Sequence, residues 1–116
     1  MASFWVVLDC RDPDRLAEFY CAAFGYLSSG TAANYRSLDP VKDPSDPKLL
    51  LQGVTEQKAG KNRMHLDLLA GDIEQEAARL VELGATRLVE QAFNEHGMSW
   101  IVLADPEGNE LCVIKS

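Results

Sequence analysis

Phe4-Trp5-Val6-Val7-Leu8-Asp9-Cys10, followed at once by Arg11-Asp12-Pro13, is the stretch on which the fold turns. Its β-branched, aromatic and aliphatic run has the composition of a strand. Asp12 is a good N-cap residue, and Pro13 suits the first helical position because its missing N–H would have no partner there. Leu16, Phe19, Tyr20, Ala23 and Phe24 then recur at i, i+3, i+4, i+7 and i+8, one face of a helix. Gly25 supplies the stop, since glycine takes the left-handed conformation without strain.

Working outward, Tyr26 to Leu38 reads as weaker strands around Gly30, and Asp39-Pro40 to Asp46-Pro47 as a polar loop. Leu49 to Val54 reads as a further strand. The same order then returns. Met64-His65-Leu66-Asp67-Leu68-Leu69-Ala70 is a strand, and Asp72 with Gln75 three residues on has capping-box spacing. Ile73, Ala77, Leu80 and Leu83 form an apolar stripe that Gly84 ends. Ala85 to Gln91, Ser99 to Ala104 and Glu110 to Ile114 each suit a strand. Leu8–Asp12 parallels Leu68–Asp72, Phe24-Gly25 parallels Leu83-Gly84, and Leu38-Asp39-Pro40 parallels Ala104-Asp105-Pro106. A repeat of roughly 60 residues cannot bury its own sheet face, so it must pack on its twin or on another chain. The polar stretch Thr55 to Asn62 reads as the linker.

The expectation is therefore α+β: a single domain over residues 1–116, made of two βαβββ modules at approximately 1–56 and 62–116. Eight strands in curled mixed sheets would form a cup with the helices outside. The cup is either complete within one chain or completed across a dimer.

Composition narrows the function. The 116 residues carry a net charge of −7. That charge disfavours nucleic acid, which requires a basic face, and anionic membranes. No apolar stretch approaches the roughly 20 residues needed to span a bilayer. No signal peptide is recognisable at the N-terminus. Cys10, Cys21 and Cys112 are odd in number and lack CxxC spacing, which fits reduced thiols in the cytoplasm rather than a disulfide framework or a structural zinc site.

Strand alternation sorts the side chains into two faces. Phe4, Val6, Leu8 and Cys10 suit the helix side of the first strand, as do Met64, Leu66 and Leu68 in its counterpart. Leu49, Leu51, Leu111 and Val113 do the same in the later strands. The opposite faces then carry Trp5, Asp9, Gln52, His65, Asp67, Glu110 and Cys112. Tryptophan and cysteine are uncommon in open solvent, which favours an enclosed surface.

These features together resemble the vicinal oxygen chelate superfamily of glyoxalase I, extradiol dioxygenases and fosfomycin- and bleomycin-resistance proteins. The residues that carry the likeness are Phe19-Tyr20, Phe24-Gly25, Lys61 to Leu68 and Asp105-Pro106-Glu107-Gly108-Asn109 before the last strand. Within the superfamily the chain is similar to small glyoxalase-like proteins. The resemblance implies a homodimer, and a divalent ion held at four equivalent strand positions, usually by His or Glu. Counting seven residues before each capping aspartate gives Trp5 and His65. Counting seven beyond Asp105 gives Cys112, with Gln52 as its counterpart. Trp5, Gln52, His65 and Cys112 are a poor set for magnesium, manganese or iron(II), which want carboxylates and imidazoles. No metal or other cofactor is expected, unless Asp9, Asp67 or Glu110 supplies the missing donors.

His65 is the first functional candidate, as general base or ligand contact, with Asp67 to orient it or bind substrate. The plain alternatives are an idle hydrogen-bonded imidazole and an ion pair of Asp67 with Arg63. Asp9 has Arg11 and Arg36 as comparable partners. Cys112 is either packing or a nucleophile activated by His65. Trp5 is an aromatic wall or plain core. Glu95-His96-Gly97 reads as a solvated loop, with a rim or lid as the alternative. The leading expectation is a metal-independent pocket for a small molecule of unknown identity, lined by Trp5, Asp9, Gln52, His65, Asp67 and Cys112. The alternative is a divalent-metal lyase, isomerase or dioxygenase-like enzyme using His65 and nearby carboxylates. A pocket reduced to an interaction module is the third.

Overall fold

The computed structural model describes residues 3–115. These residues hold nine strands and two helices, in two compact units that meet in sequence between Gln57 and Lys58.

The first unit runs β1 (Val6–Cys10), α1 (Pro13–Phe24), β2 (Tyr26–Ala32), β3 (Tyr35–Pro40) and β4 (Leu49–Gly53). Its sheet order is β1-β4-β3-β2, with β1 and β4 parallel and the other pairs antiparallel. The local signals act as their chemistry dictates. Asp12 accepts a hydrogen bond from the Arg15 amide at 3.1 Å, and Gly25, at φ 72°, donates to the Cys21 carbonyl at 3.0 Å. Between these caps, α1 buries Leu16, Ala17, Phe19, Tyr20 and Ala23 against β2, β3 and β4. Leu38, Leu49 and Leu51 complete that core.

The second unit repeats the plan: β5 (Leu66–Leu69), α2 (Ile73–Glu82), β6 (Thr86–Arg87), β7 (Phe93–Glu95), β8 (Met98–Ala104) and β9 (Glu110–Lys115). The order is β5-β9-β8-β6, with β5 parallel to β9 and β7 paired to β8 beside that path. Asp72 accepts from the Gln75 amide at 3.0 Å. Ile73, Ala77 and Leu80 bury against a sheet face made by Ile101, Leu103, Leu111 and Val113. No helix among the described residues is long and apolar enough to cross a membrane.

Four local expectations are corrected. β1 begins at Val6, because its parallel partner β4 begins at Leu49, and Phe4 lies outside the ladder, exposed. Met64 is exposed for the same reason, the β5 ladder starting at Leu66 opposite Leu111. The segment before β8 is a hairpin rather than a loop: β7 returns as β8 through His96 (φ 53°) and Gly97 (φ 77°). Positive φ at both central positions is the tight turn whose twist matches paired strands. Finally, the inter-module linker is fastened at its far end. Lys58 and Asn62 both bind Glu110 of β9.

Candidate functional site

On β5 and β9 the parallel register sets Asp67 opposite Cys112, and alternation puts His65 on the same side as Asp67. On β8 the buried Ile101 and Leu103 turn toward α2, so Trp100 and Val102 turn the other way. The register continues this face across the sheet, with Val102 opposite Cys112 and Trp100 opposite Ile114. A cavity of about 350 Å³ lies over it. Its apolar wall is Met98, Trp100, Val102, Cys112 and Ile114; Lys61, His65, Asp67 and Glu110 supply the polar end. Phe93 of β7 stacks on Trp100 with ring centroids 5.5 Å apart, holding the indole in place.

His65 Nδ1 lies 3.1 Å from Asp67 Oδ1. A carboxylate there accepts a hydrogen bond from Nδ1–H and leaves Nε2 with its lone pair, so Nε2 is the nitrogen able to accept a proton or a hydrogen bond from a ligand. Asp67 pairs with His65, which decides against the alternative of Arg63. The Cys112 thiol is pushed above its ordinary range, first by burial and then by the negative charge of Asp67, with Lys61 opposing. Both effects disfavour the thiolate that an activated nucleophile requires.

Glu110, from the same face, is otherwise engaged. Lys58 Nζ stands 3.1 Å from Oε2, and the Asn62 amide donates to Oε1 at 3.1 Å. Burial pushes its acidity one way, but the ammonium and the amide outweigh it and hold the carboxyl below its ordinary value. The turn that launches β9 is equally determined. Buried Asp105 accepts from the amides of Glu107 (2.8 Å) and Asn109 (3.0 Å) and from the Asn109 side chain (2.9 Å). Asp105-Pro106-Glu107-Gly108-Asn109 is thus a positioning element, fixing where Glu110 and Cys112 emerge.

The other expected site residues lie in the first unit. Asp9 and Gln52 face one another in the β1–β4 register, away from α1. Arg36 goes to Asp14 rather than Asp9. Trp5 is 60% exposed, so it is not core; it lines a broad cleft with Phe4, Pro47 and Lys48, whose Nζ sits 5.3 Å from the indole centroid. The register also revises one equivalence. Five residues before the capping aspartates stand Val7 and Asp67; Val7 faces Leu50 and Asp67 faces Cys112. The counterpart of Cys112 is therefore Leu50, not Gln52.

Lys61, Met98, Trp100 and Val102 complete the cavity without having been singled out as lining residues. The signal was present in Met98-Ser99-Trp100-Ile101-Val102-Leu103: sorting this strand by alternation, as for the others, puts Trp100 and Val102 beside Cys112.

Comparison with known proteins accords with this architecture. A crystal structure of a glyoxalase/bleomycin resistance protein/dioxygenase family enzyme from Burkholderia phytofirmans superposes with a TM-score of 0.80 at 17% identity, covering 96% of this chain and 95% of that one. The fosfomycin resistance protein FosX from Mesorhizobium loti gives 0.74 at 14% identity, covering 99% and 92%. The oxidase ChaP-H2 gives 0.72 at 16% identity, covering 100% and 95%. At these identities the likeness is one of fold. No curated protein sequence matches the chain. The profile described as a glyoxalase-like domain matches residues 5–114, nearly the whole sequence. By that match, the chain belongs to the glyoxalase-like domain family.

Proposed function

We propose that this protein binds a small molecule on the helix-averted face of its second sheet, without recourse to a magnesium-, manganese- or iron-type ion. The carrying observation is the cavity itself: an apolar wall built on Trp100, Val102 and Ile114, ending in a polar group of Lys61, His65 and Asp67. Such a pocket removes most of a flat ligand's surface from water, while one or two polar groups fix its orientation. Trp100 offers the ring face, and His65 Nε2 accepts a hydrogen bond from a ligand hydroxyl or amide, or holds its proton. The hard-ion donors of the superfamily are thin here, since Glu110 is committed to Lys58 and Asn62. Similar folds serve a fosfomycin resistance protein and an oxidase, so small organic molecules are an appropriate ligand class. Free thiols at all three cysteines support a reducing, cytoplasmic setting, and a homodimer is the assembly we propose.

The test is a thermal-shift screen of small aromatic acids, phenols and amides against untagged protein in excess EDTA. At least one class is expected to raise the unfolding temperature. Trp100→Ala should abolish that rise, and His65→Ala should weaken binding by about 1–3 kcal/mol, the cost of a buried hydrogen bond. Ligands that bind both variants as tightly as the parent would refute the assignment. A second reading, a divalent-metal lyase, isomerase or dioxygenase-like enzyme, is favoured by one observation: ligand atoms of His65, Asp67 and Cys112 all lie within 4.8 Å of one another. Ligands that bind only after a metal is restored would select it.

A further inference from the structure

Glu110 has two lysines beside it and one negative charge to share between them. Lys58 Nζ stands 3.1 Å from Oε2 and the Asn62 amide takes Oε1 at 3.1 Å, while Lys61 Nζ is 4.0 Å from Oε1. We propose that Lys61 is the anion-binding residue of the cavity, and that the ligand the cavity takes is a small planar aromatic carboxylate. This rests on the pocket reading of the preceding section and names its ligand class.

The local chain path presents the lysine. Lys58 also donates to the Gly60 carbonyl, and Gly60 takes φ 74°, so the chain turns tightly between Lys58 and Asn62. Both ends of this turn are fastened to Glu110, Asn62 donating also from its side chain to the Glu110 carbonyl at 3.3 Å. Lys61 sits between the two anchors and lines the cavity, yet its own side chain is 77% exposed. Its neighbours hold it at the cavity edge, and its own contact with Glu110 is long. A ligand carboxylate improves on that contact, since an ammonium–carboxylate hydrogen bond closes to about 2.7–2.9 Å.

The other polar groups of the lining decide the sign of the ligand. Asp67 and Glu110 repel an anion, and His65 Nε2 offers a lone pair rather than a proton. Lys61 is the one lining group left to receive a carboxylate. A cation finds its partners taken, Asp67 by His65 and Glu110 by Lys58. The ammonium of Lys61 is felt inside the cavity as well, where it opposes the upward push on the Cys112 thiol. The net charge of −7 acts against anions only at longer range, and is screened beyond about 10 Å at 0.1 M salt. Trp100, Val102 and Ile114 supply the wall for the ring. At about 350 Å³ the cavity lies near the lower end of the roughly 300–1,000 Å³ of ligand sites, which suits one or two fused rings.

Three ligands of one shape and different charge separate the possibilities: 2-naphthoate, neutral 2-naphthamide and 2-naphthylmethylammonium, each titrated calorimetrically into untagged protein in EDTA. At low salt the naphthoate is expected to bind about three- to fivefold more tightly than the amide, the range of an exposed ion pair. That advantage should vanish in about 1 M salt, where screening acts within about 3 Å. Lys61→Gln should erase it, and Lys61→Glu should pass it to the ammonium compound. Lys42→Gln, the same change of net charge on a loop of the first unit, should preserve it. Naphthoate and amide that bind wild-type protein equally would overturn the proposal, as would an advantage that survives Lys61→Gln or an ammonium compound that binds wild-type protein best. In each of these cases binding of the amide leaves the pocket reading standing. Failure of all three ligands to bind would bring down the pocket reading and the ligand class together.

Discussion

At the scale of the residue, Glu110 shows burial and charge in opposition. Its side chain is only 12% exposed, and burial by itself favours the protonated acid. Lys58 and Asn62 reverse this and bring the carboxyl below its ordinary 4.5. A group whose folded value is depressed contributes stability that is complete above the unfolded value and is lost as pH falls through the folded one. Glu110 should therefore stabilise the fold in full above about pH 4.5, and that contribution should fade progressively as pH falls below it. Glu110→Gln is expected to lower the unfolding temperature at neutral pH and to flatten its decline as pH falls below about 4.5. Parallel curves for the two proteins would show that the ion pair contributes nothing. Glu110 was legible in the sequence as a residue on the functional face. Its commitment to Lys58 was not, because the partner lies far along the chain in a segment whose composition reads as linker.

At the scale of the element, the caps were readable and the short strands were not. Asp12, Gly25 and Asp72 act through hydrogen bonds to residues three or four positions away, which sequence spacing records directly. β6 has two residues and β7 three, too few for alternation to register, so β7 is visible only through its pairing with β8. The turn between β7 and β8 can be tested in isolation. A methyl group added at Gly97 would meet nothing within 4 Å, so Gly97→Ala costs only the strain of holding an L-residue at φ 77°. That strain should destabilise the protein by about 1 kcal/mol, read as a lower urea midpoint with unchanged slope. It should also loosen the Phe93–Trp100 stack and quicken amide exchange across β7. A neutral substitution would mean that the left-handed turn is not kept in solution.

At the scale of the whole molecule, the duplication was the most legible feature, since it is written in punctuation rather than in propensity: aspartate before each helix, glycine after it. The site was half legible. His65, Asp67 and Cys112 follow from alternation alone, but their convergence needs the β5–β9 register, which no local pattern encodes. Gln52 was matched to Cys112 by counting across a loop of different length, and the register moves that match to Leu50. The two sheets share one strand order while differing in what they carry, and this makes the first a blank copy of the second. Blank copies can be written on. Replacing Trp5 with His and Val7 with Asp should set up a second imidazole–carboxylate pair, read by NMR as a second imidazole N–H proton held in a hydrogen bond. A double mutant whose new imidazole shows no such proton would mean that shared topology is too coarse a template to carry chemistry from one half of the chain to the other.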